Sequence, residues 1–362
     1  MKQDILIVGG YGAVGRHVVM ELVKTCPEKI IIAGRDLNKA NAFVQKTGYS
    51  LRTMQVDINK TEQPKEKFKA VHTVLICVEA KDTKFVEACI DNGVNYVDIS
   101  ASNKILTPTK WLEEKAIKNK VACILGVGIA PGLSTLLAKK VADKMEIVNT
   151  IDFTLMLGLG EQHGIDGVRW FLENLKTDFE VDGVLIQPFI TKHQAHFSKP
   201  LGIRCAYSFN LADGQIMSET LNTPVNTYYC YDSTFMTGLL HLLKKWRLLD
   251  ILKKPKIFNL FLNIFSSDKL SKNAKLSDTI GLHVAATGLN EGEEVTYYGN
   301  IIGDNSSTLT AKVVVHAALR LIQNSYPAGV HYLSEVTNLD AVIDTLDEAL
   351  IVDIYPSDMI NS

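Results

Sequence analysis

The sequence predicts an α/β chain: a doubly wound parallel sheet in the first third, then a second α+β domain with a mostly antiparallel sheet and a helical insertion. Three observations carry this. Short apolar runs alternate with helix signals over residues 5–127, the first run ends in regularly spaced glycines, and beyond residue 131 segments rich in β-branched and aromatic residues replace that rhythm. A chain of 362 residues exceeds one ordinary core. Two domains are therefore expected, 1–130 and 131–304, with 305–362 folding back onto the first and a helical insertion at about 233–272.

The first apolar run, 5–8, leads into Gly9-Gly10-Tyr11-Gly12-Ala13-Val14-Gly15 and a helical stretch over 14–23. Gly10-x-Gly12-x-x-Gly15 has the spacing of a dinucleotide fingerprint, with strand, turn and helix in the required order. Glycine serves there for a tight bend, for close approach of backbone to a pyrophosphate, and for close packing of helix on strand. The phosphates would rest on the helix N-terminus, where unpaired N–H groups and the dipole favour negative charge. Gly10, Tyr11, Gly12, Ala13, Val14 and Gly15 are therefore expected to hold a dinucleotide in a Rossmann-type fold.

Residues 29–36 continue as an apolar run, read as a strand buried on both faces. At its end an NAD site carries an acid for the ribose 2′-hydroxyl, whereas an arginine accommodates the 2′-phosphate of NADP. Arg35 stands there beside Gly34, so NADP(H) is expected in preference to NAD(H). The alternative is that Arg35 merely ends the strand and Asp36 binds the ribose. Strand and helix signals recur at 51–56, 71–78, 83–92, 96–99 and 122–127. Because ligands bind at the carboxyl ends of such strands, Asp57, Cys77, Val78, Glu79, Asp98 and Ser100 should line one crevice. Asp57 would face the adenine side, and Val78 and Glu79 the nicotinamide ribose. Strand ends are also polar by default, so a solvated role competes for each.

These segments resemble the saccharopine dehydrogenase family, above all its NADP-binding domain. The stretches that carry the resemblance are GGYGAVGRHV (9–18), IAGRDLNKA (32–40), FVEACIDNGVNYVDIS (85–100) and GVGIAPGLSTLLA (126–138). Sparser similarity follows in GIDGVRWFLENL (164–175), TPVNTYYCYDS (223–233) and YPAGVHYLSEV (326–336). The resemblance implies an NADP(H)-linked oxidoreductase with a Rossmann domain, a second α/β domain and a C-terminal segment returning to the first. It further implies an amino acid or imine adduct as substrate. Within that expectation, Asp98 and Ser100 are the candidate catalytic residues, orienting a substrate nitrogen or relaying its proton. The Tyr-x-x-x-Lys pair by which short-chain dehydrogenases deliver a proton is absent from the sequence.

Beyond the crevice, Pro131 and Gly132 open a helix over 135–141 whose N–H groups could meet an anionic substrate; a purely structural turn is the competing reading. Segments 149–159, 204–210, 225–231, 281–287 and 295–302 read as an antiparallel sheet carrying the 166–175 helix on one face. His163, Arg169, Arg204 and Tyr207 are candidate polar groups on that sheet, Arg169 and Arg204 being suited to a carboxylate. His193 and His196 lack a third ligand at metal-binding spacing and are assigned to a polar loop; no metal site is expected. A capping signal at Asn305, Ser306 and Ser307 precedes a helix over 309–322, and 339–350 reads as a short acidic helix and tail.

Over 239–265 leucines alternate with six basic residues, Lys244, Lys245, Arg247, Lys253, Lys254 and Lys256, against Asp250 alone. This profile fits either a peripheral membrane-surface helix or an insertion that packs on the second domain or in a homodimer. Lys and Arg total 38 against 40 acidic residues, a net charge of -2, so no global field recruits nucleic acid. The six cysteines are scattered without a CxxC pair, and no leader or apolar stretch of about 18 residues is seen. A cytoplasmic location, a small-molecule substrate and a homodimer are expected. The alternatives to a dehydrogenase of an amino-acid-derived substrate are a non-catalytic NADP-sensing scaffold and a reductase of a lipid-like or polyamine-derived substrate.

Overall fold

The computed structural model describes residues 2–60, 65–160, 165–181, 183–265, 277–346 and 349–361. Its strands, in chain order, are β1 (Asp4–Val8), β2 (Ile30–Gly34), β3 (Arg52–Gln55), β4 (Val71–Ile76), β5 (Asn95–Asp98), β6 (Ala122–Leu125), β7 (Ile147–Leu157) and β8 (Phe179–Val181). They continue as β9 (Val184–Ile186), β10 (Lys192–His196), β11 (Ile203–Ser208), β12 (Val225–Tyr231), β13 (Thr279–Asn290), β14 (Glu293–Asp304), β15 (Gly329–Tyr332) and β16 (Ile351–Pro356). Two compact units result, Met1–Leu133 with Ser307–Asp347, and Ser134–Ser306 with Glu348–Ser362.

The first unit holds a wholly parallel sheet in the order β15-β6-β5-β4-β1-β2-β3. Burial explains why these runs are strands: Ile5, Leu6, Ile7, Ile30 and Ile32 are fully buried, as a sheet covered on both faces requires. The chain passes β1, β2 and β3 to one side, then returns to place β4 beside β1. The order therefore reverses between β1 and β4, the place where such sheets open a crevice. Helix Leu37–Thr47 starts at Asp36, whose carboxylate accepts from the Lys39 N–H at 3.1 Å, and stops at Gly48 in a left-handed conformation.

The second unit holds a mixed sheet, β10-β11-β12-β7-β13-β14-β16. Its pairings are antiparallel except β12 with β7, which run parallel because helix Ile165–Lys176, strands β8 to β11 and helix Ala212–Leu221 intervene. Helices cover one face. Phe171 of helix Ile165–Lys176 packs on Phe209, Tyr229 and Tyr231, and Thr227 beneath Gly214 belongs to the same face. Val141 and Leu137 of helix Ser134–Ala142 press on Gly299, again on that face. The other face curls: β10 crosses toward β13, where the His196 N–H donates to His283 Nε2 and Phe197 packs on the His283 ring.

Three expectations need correction. His193 and His196 lie not in a loop but in β10, paired with Ala206 and Ile203 of β11; the ladder supplies what their weak strand propensity does not. Residues after 348 do not return to the first unit, because β16 adds to β14 at the edge of the second sheet. Arg204 and Tyr207 do not share a face, being three residues apart on one strand. Within the insertion, helices Thr234–Lys245 and Pro255–Phe265 flank a short turn of helix at Leu248–Lys253. Leu252, Phe258 and buried Lys244 anchor it, the last donating to the Leu175 carbonyl at 2.9 Å, while Phe235, Trp246, Leu248 and Leu260 stay exposed. Residues 266–272 of the expected insertion lie outside the described residues. No described helix is long and apolar enough to cross a membrane.

The second unit's covered side contains a buried polar pair, Ser134 donating to Asp213 in the first turn of helix Ala212–Leu221. Burial pushes the Asp213 carboxyl up to about 7, against the hydrogen bond from Ser134. The folded chain then holds a proton that the unfolded chain releases above its ordinary value of 3.8. Stability is thus lost as pH rises from there through about 7, and levels off above. Relative to Asp213→Asn, wild type should lose up to about 1.4 kcal/mol per pH unit across that window in chemical denaturation. Parallel pH profiles for the two proteins would contradict this.

Candidate nucleotide site

Each strand of the first sheet hands its carboxyl end to one rim. At the end of β1 the chain turns at Gly9, held left-handed (φ +80°), and Gly12 N–H donates back to Gly9 O at 2.8 Å. A side chain at Gly9 would press on Val78 Cγ1 at 2.5 Å, and one at Gly15 would overlap the Gly9 carbonyl and stand 2.8 Å from Gly10 Cα. Helix Gly15–Leu22 can therefore sit against the turn only because position 15 is glycine. Its N-terminus carries no side-chain cap and no acidic residue in the first turn. Among the described residues the Ala13, Val14 and Gly15 N–H groups make no backbone hydrogen bond, and 11–14 are only half-buried. That is an open donor set at the positive end of a helix dipole, fit for a pyrophosphate.

At the end of β2, Tyr11 lies across Gly34: a side chain there would stand 2.6 Å from Tyr11 Cε1, and Tyr11 Oη accepts from the Asp36 N–H at 3.3 Å. This links the phosphate turn to the segment that discriminates the ribose. Arg35, Asp36, Leu37, Asn38 and Gln55 line an open cleft of about 580 Å³. Arg35 is exposed, and among the described residues nothing pairs with its guanidinium; its carbonyl accepts from Gln55 Nε2 at 2.9 Å. Asp36 is engaged as a helix cap. Asn38 and Gln55 were not singled out from sequence, because they reach the cleft from a helix and a neighbouring strand, with no motif to mark them.

The remaining strand ends are less open. Asp57 is half-buried and accepts from the Asn59 N–H at 3.1 Å. Glu79 is exposed, Val78 packs under Gly9, and Cys77 continues the ladder by donating its N–H to Val8 O. Burial, and after it the Asp98 carboxylate, push the Cys77 thiol up to about 12, so it stays protonated. Asp98 is fully buried, accepting from the Ser100 N–H at 2.7 Å and the Tyr96 hydroxyl at 3.2 Å. Burial raises its carboxyl and these bonds oppose the rise. Ser100 is also buried.

Pro131, after a cis peptide, and Gly132 (φ +132°) are buried in a loop that closes on itself, Leu133 N–H donating to Gly128 O. The helix after them meets Asp213 through Ser134. In the second unit, Arg169 is half-buried on the helix of the covered face, apart from Arg204 on the opposite face of the sheet. Arg204 Nη1 donates to Asp232 O at 3.3 Å and its Nε is buried without a partner. Tyr207 is buried between His241 and Phe189 rings. His163 lies outside the described residues. Among those described, no group of three or more metal-ligating side chains is brought together.

Fold order, glycine turn and open helix N-terminus define the first unit as a pyridine-nucleotide-binding Rossmann domain. Residues 5–125 match the family model described as the saccharopine dehydrogenase NADP binding domain, and the chain is saccharopine dehydrogenase-like. Two solved structures share its fold over nearly the whole length. Apo saccharopine dehydrogenase (L-Glu forming) from Saccharomyces cerevisiae has TM-score 0.68 and 14% identity, covering 98% of this chain and 99% of that one. The homospermidine synthase of Legionella pneumophila, in complex with NAD, has TM-score 0.64 and 14% identity, covering 99% and 92%. No curated protein sequence matches the chain.

A methyl group at position 15 would have to push the helix off the turn, at about 1–3 kcal/mol. Gly15→Ala should therefore weaken NADPH binding by tenfold or more in a fluorescence titration. Wild-type affinity in a folded Gly15→Ala protein would show that the turn does not hold the cofactor.

Proposed function

We propose that the chain is an NADP(H)-dependent oxidoreductase transferring hydride to or from a C–N or carbonyl carbon of an amino-acid-derived small molecule. The observation that carries the cofactor half is the unpaired, exposed Arg35 over the cleft beside Gly34, one strand from an uncapped helix N-terminus. Gly10, Gly12 and Gly15 shape that turn, and the N–H groups of Ala13, Val14 and Gly15 would bind the pyrophosphate. Asp36 is already spent on its helix, which favours Arg35 and a 2′-phosphate over Asp36 and a free ribose. The family match to an NADP binding domain and the dehydrogenase fold of the relatives support the same reading.

When bound, the nicotinamide supplies the hydride chemistry; the chain supplies orientation. Val78 and Cys77 form the wall beneath the turn. Asp98, shut from solvent, acts as a positioning residue: it holds the 98–100 turn through the Ser100 N–H and ties it to Tyr96. Arg204, with an unspent buried Nε, is suited to a carboxylate; Pro131 and Gly132 shape a loop and make no direct substrate contact in this reading.

Removing the guanidinium should cost NADPH alone. For Arg35→Ala, NADPH affinity is expected to fall about 10-fold to 150-fold with NADH affinity unchanged, the equivalent of one lost charge-assisted contact. Equal affinity of wild type for the two cofactors, untouched by the substitution, would return the ribose to Asp36.

A further inference from the structure

The helix-free face of the second sheet carries polar side chains with no part in nucleotide binding. Register sets them side by side. Asp152 pairs with Asn226, Thr154 with both Tyr228 and His283, and His283 with Asn300, so all six project from one face. β10 folds over them: His193 stacks on Tyr228 with ring centres 4.2 Å apart, and His196 stacks on Tyr298 at 5.3 Å. Asn226 Nδ2 donates to Asp152 Oδ1 at 2.9 Å. His283 Nε2 accepts from the His196 N–H, which leaves its Nδ1 to donate to Asn300 Oδ1 at 3.0 Å. The His283 imidazole is neutral, burial pushing it down to about 3.

Against this ordered background three atoms stand out. His193 Nε2, His196 Nδ1 and Thr154 Oγ1 are closed off from solvent and find no hydrogen-bond partner; Thr154 is fully buried. Folded proteins satisfy most such groups, and three orphans on one face mark a place built for something else. Asp152, His193, His196 and Tyr228 are only half-buried, so the place is reached from solvent.

Charge says what fits. Among the described residues no Lys or Arg pairs with Asp152. His193 is no counter-charge, since burial shifts its pKa downward and Asp152 only partly offsets this. Tyr228 stays a protonated phenol, pushed up to about 12 by burial and then by Asp152. A half-buried carboxylate without a cation is costly, and around it stand acceptors: an imidazole nitrogen and a hydroxyl oxygen. A primary ammonium is the complementary group, with three N–H donors, one positive charge and no acceptor.

We propose that this face binds a small aliphatic molecule through a primary ammonium group held at Asp152, with Thr154 and His193 as its further hydrogen-bond partners. Two sources share that chemistry, simple alkylamines and α-amino acids. The site needs nothing from the nucleotide turn, so it goes beyond the functional reading above and stands or falls apart from it.

Calorimetric titration of the full chain with n-butylamine, L-norleucine and butyltrimethylammonium tests it, with NADPH titrated in parallel. Wild type should bind n-butylamine or L-norleucine, whichever source the site serves, and not butyltrimethylammonium, which has no N–H. Asp152→Asn should lose about tenfold or more of that affinity while NADPH binding is kept. Thr154→Val, an isostere that removes only the orphaned hydroxyl, should fold at least as stably as wild type and bind the amine several-fold more weakly. Failure of both amines to bind, equal binding of butyltrimethylammonium, or wild-type affinity in both variants would overturn the proposal.

Discussion

The contact between Gly15 and the carbonyl of Gly9 is the constraint from which the first unit follows. With no Cβ at position 15, helix Gly15–Leu22 seats directly on the turn after β1, and the first N–H groups of the helix are left facing outward with nothing to bond. Gly9 is fixed from the other side by Val78, so the turn is clamped between its own helix and the end of β4. Tyr11 then spans to Gly34, tying the phosphate turn to the strand end where Arg35 stands. One backbone-to-backbone contact thereby places the pyrophosphate donors and the ribose-discriminating residue on the same rim.

The second unit is governed by a division of labour between the two faces of one sheet. Odd-numbered residues of β12, such as Tyr229, meet Phe171 and Phe209 beneath the helices; even-numbered ones, Asn226 and Tyr228, stay on the bare side with Asp152. Aromatic packing provides the rigidity that lets the bare side carry half-buried polar groups. Cys230 and Met156, with Ala195 and Ala206 under β10, close the end of that side with a small apolar cluster.

The parallel sheet was legible because its strands are buried on both faces, so Ile5 to Val8 and Ile30 to Gly34 read as unbroken apolar runs. The glycine turn was legible for the same kind of reason: each glycine answers a steric demand that a sequence can state. Less was visible where tertiary pairing overrides composition. Lys192 to His196 has little in it that favours a strand, and only the ladder with β11 makes it one; Ile351 to Pro356 was absorbed into an acidic tail until β14 claimed it. Asp98 was placed correctly at a strand end, yet its complete burial depends on Tyr96 and on the 98–100 turn, which no motif announces. The polar face escaped notice although it left a trace, polar residues at alternate positions in Asp152-x-Thr154 and Asn226-x-Tyr228, since parity has meaning only once the register is known.

Selective ¹⁵N-glycine labelling gives the most direct view of the constraint on which the account rests. Titration with NADPH should shift the amide signals of Gly10, Gly12, Gly15 and Gly34 most strongly and leave Gly281, Gly288 and Gly299 of the second sheet unmoved. NADPH binding with the signals of Gly10, Gly12 and Gly15 unchanged would contradict the account.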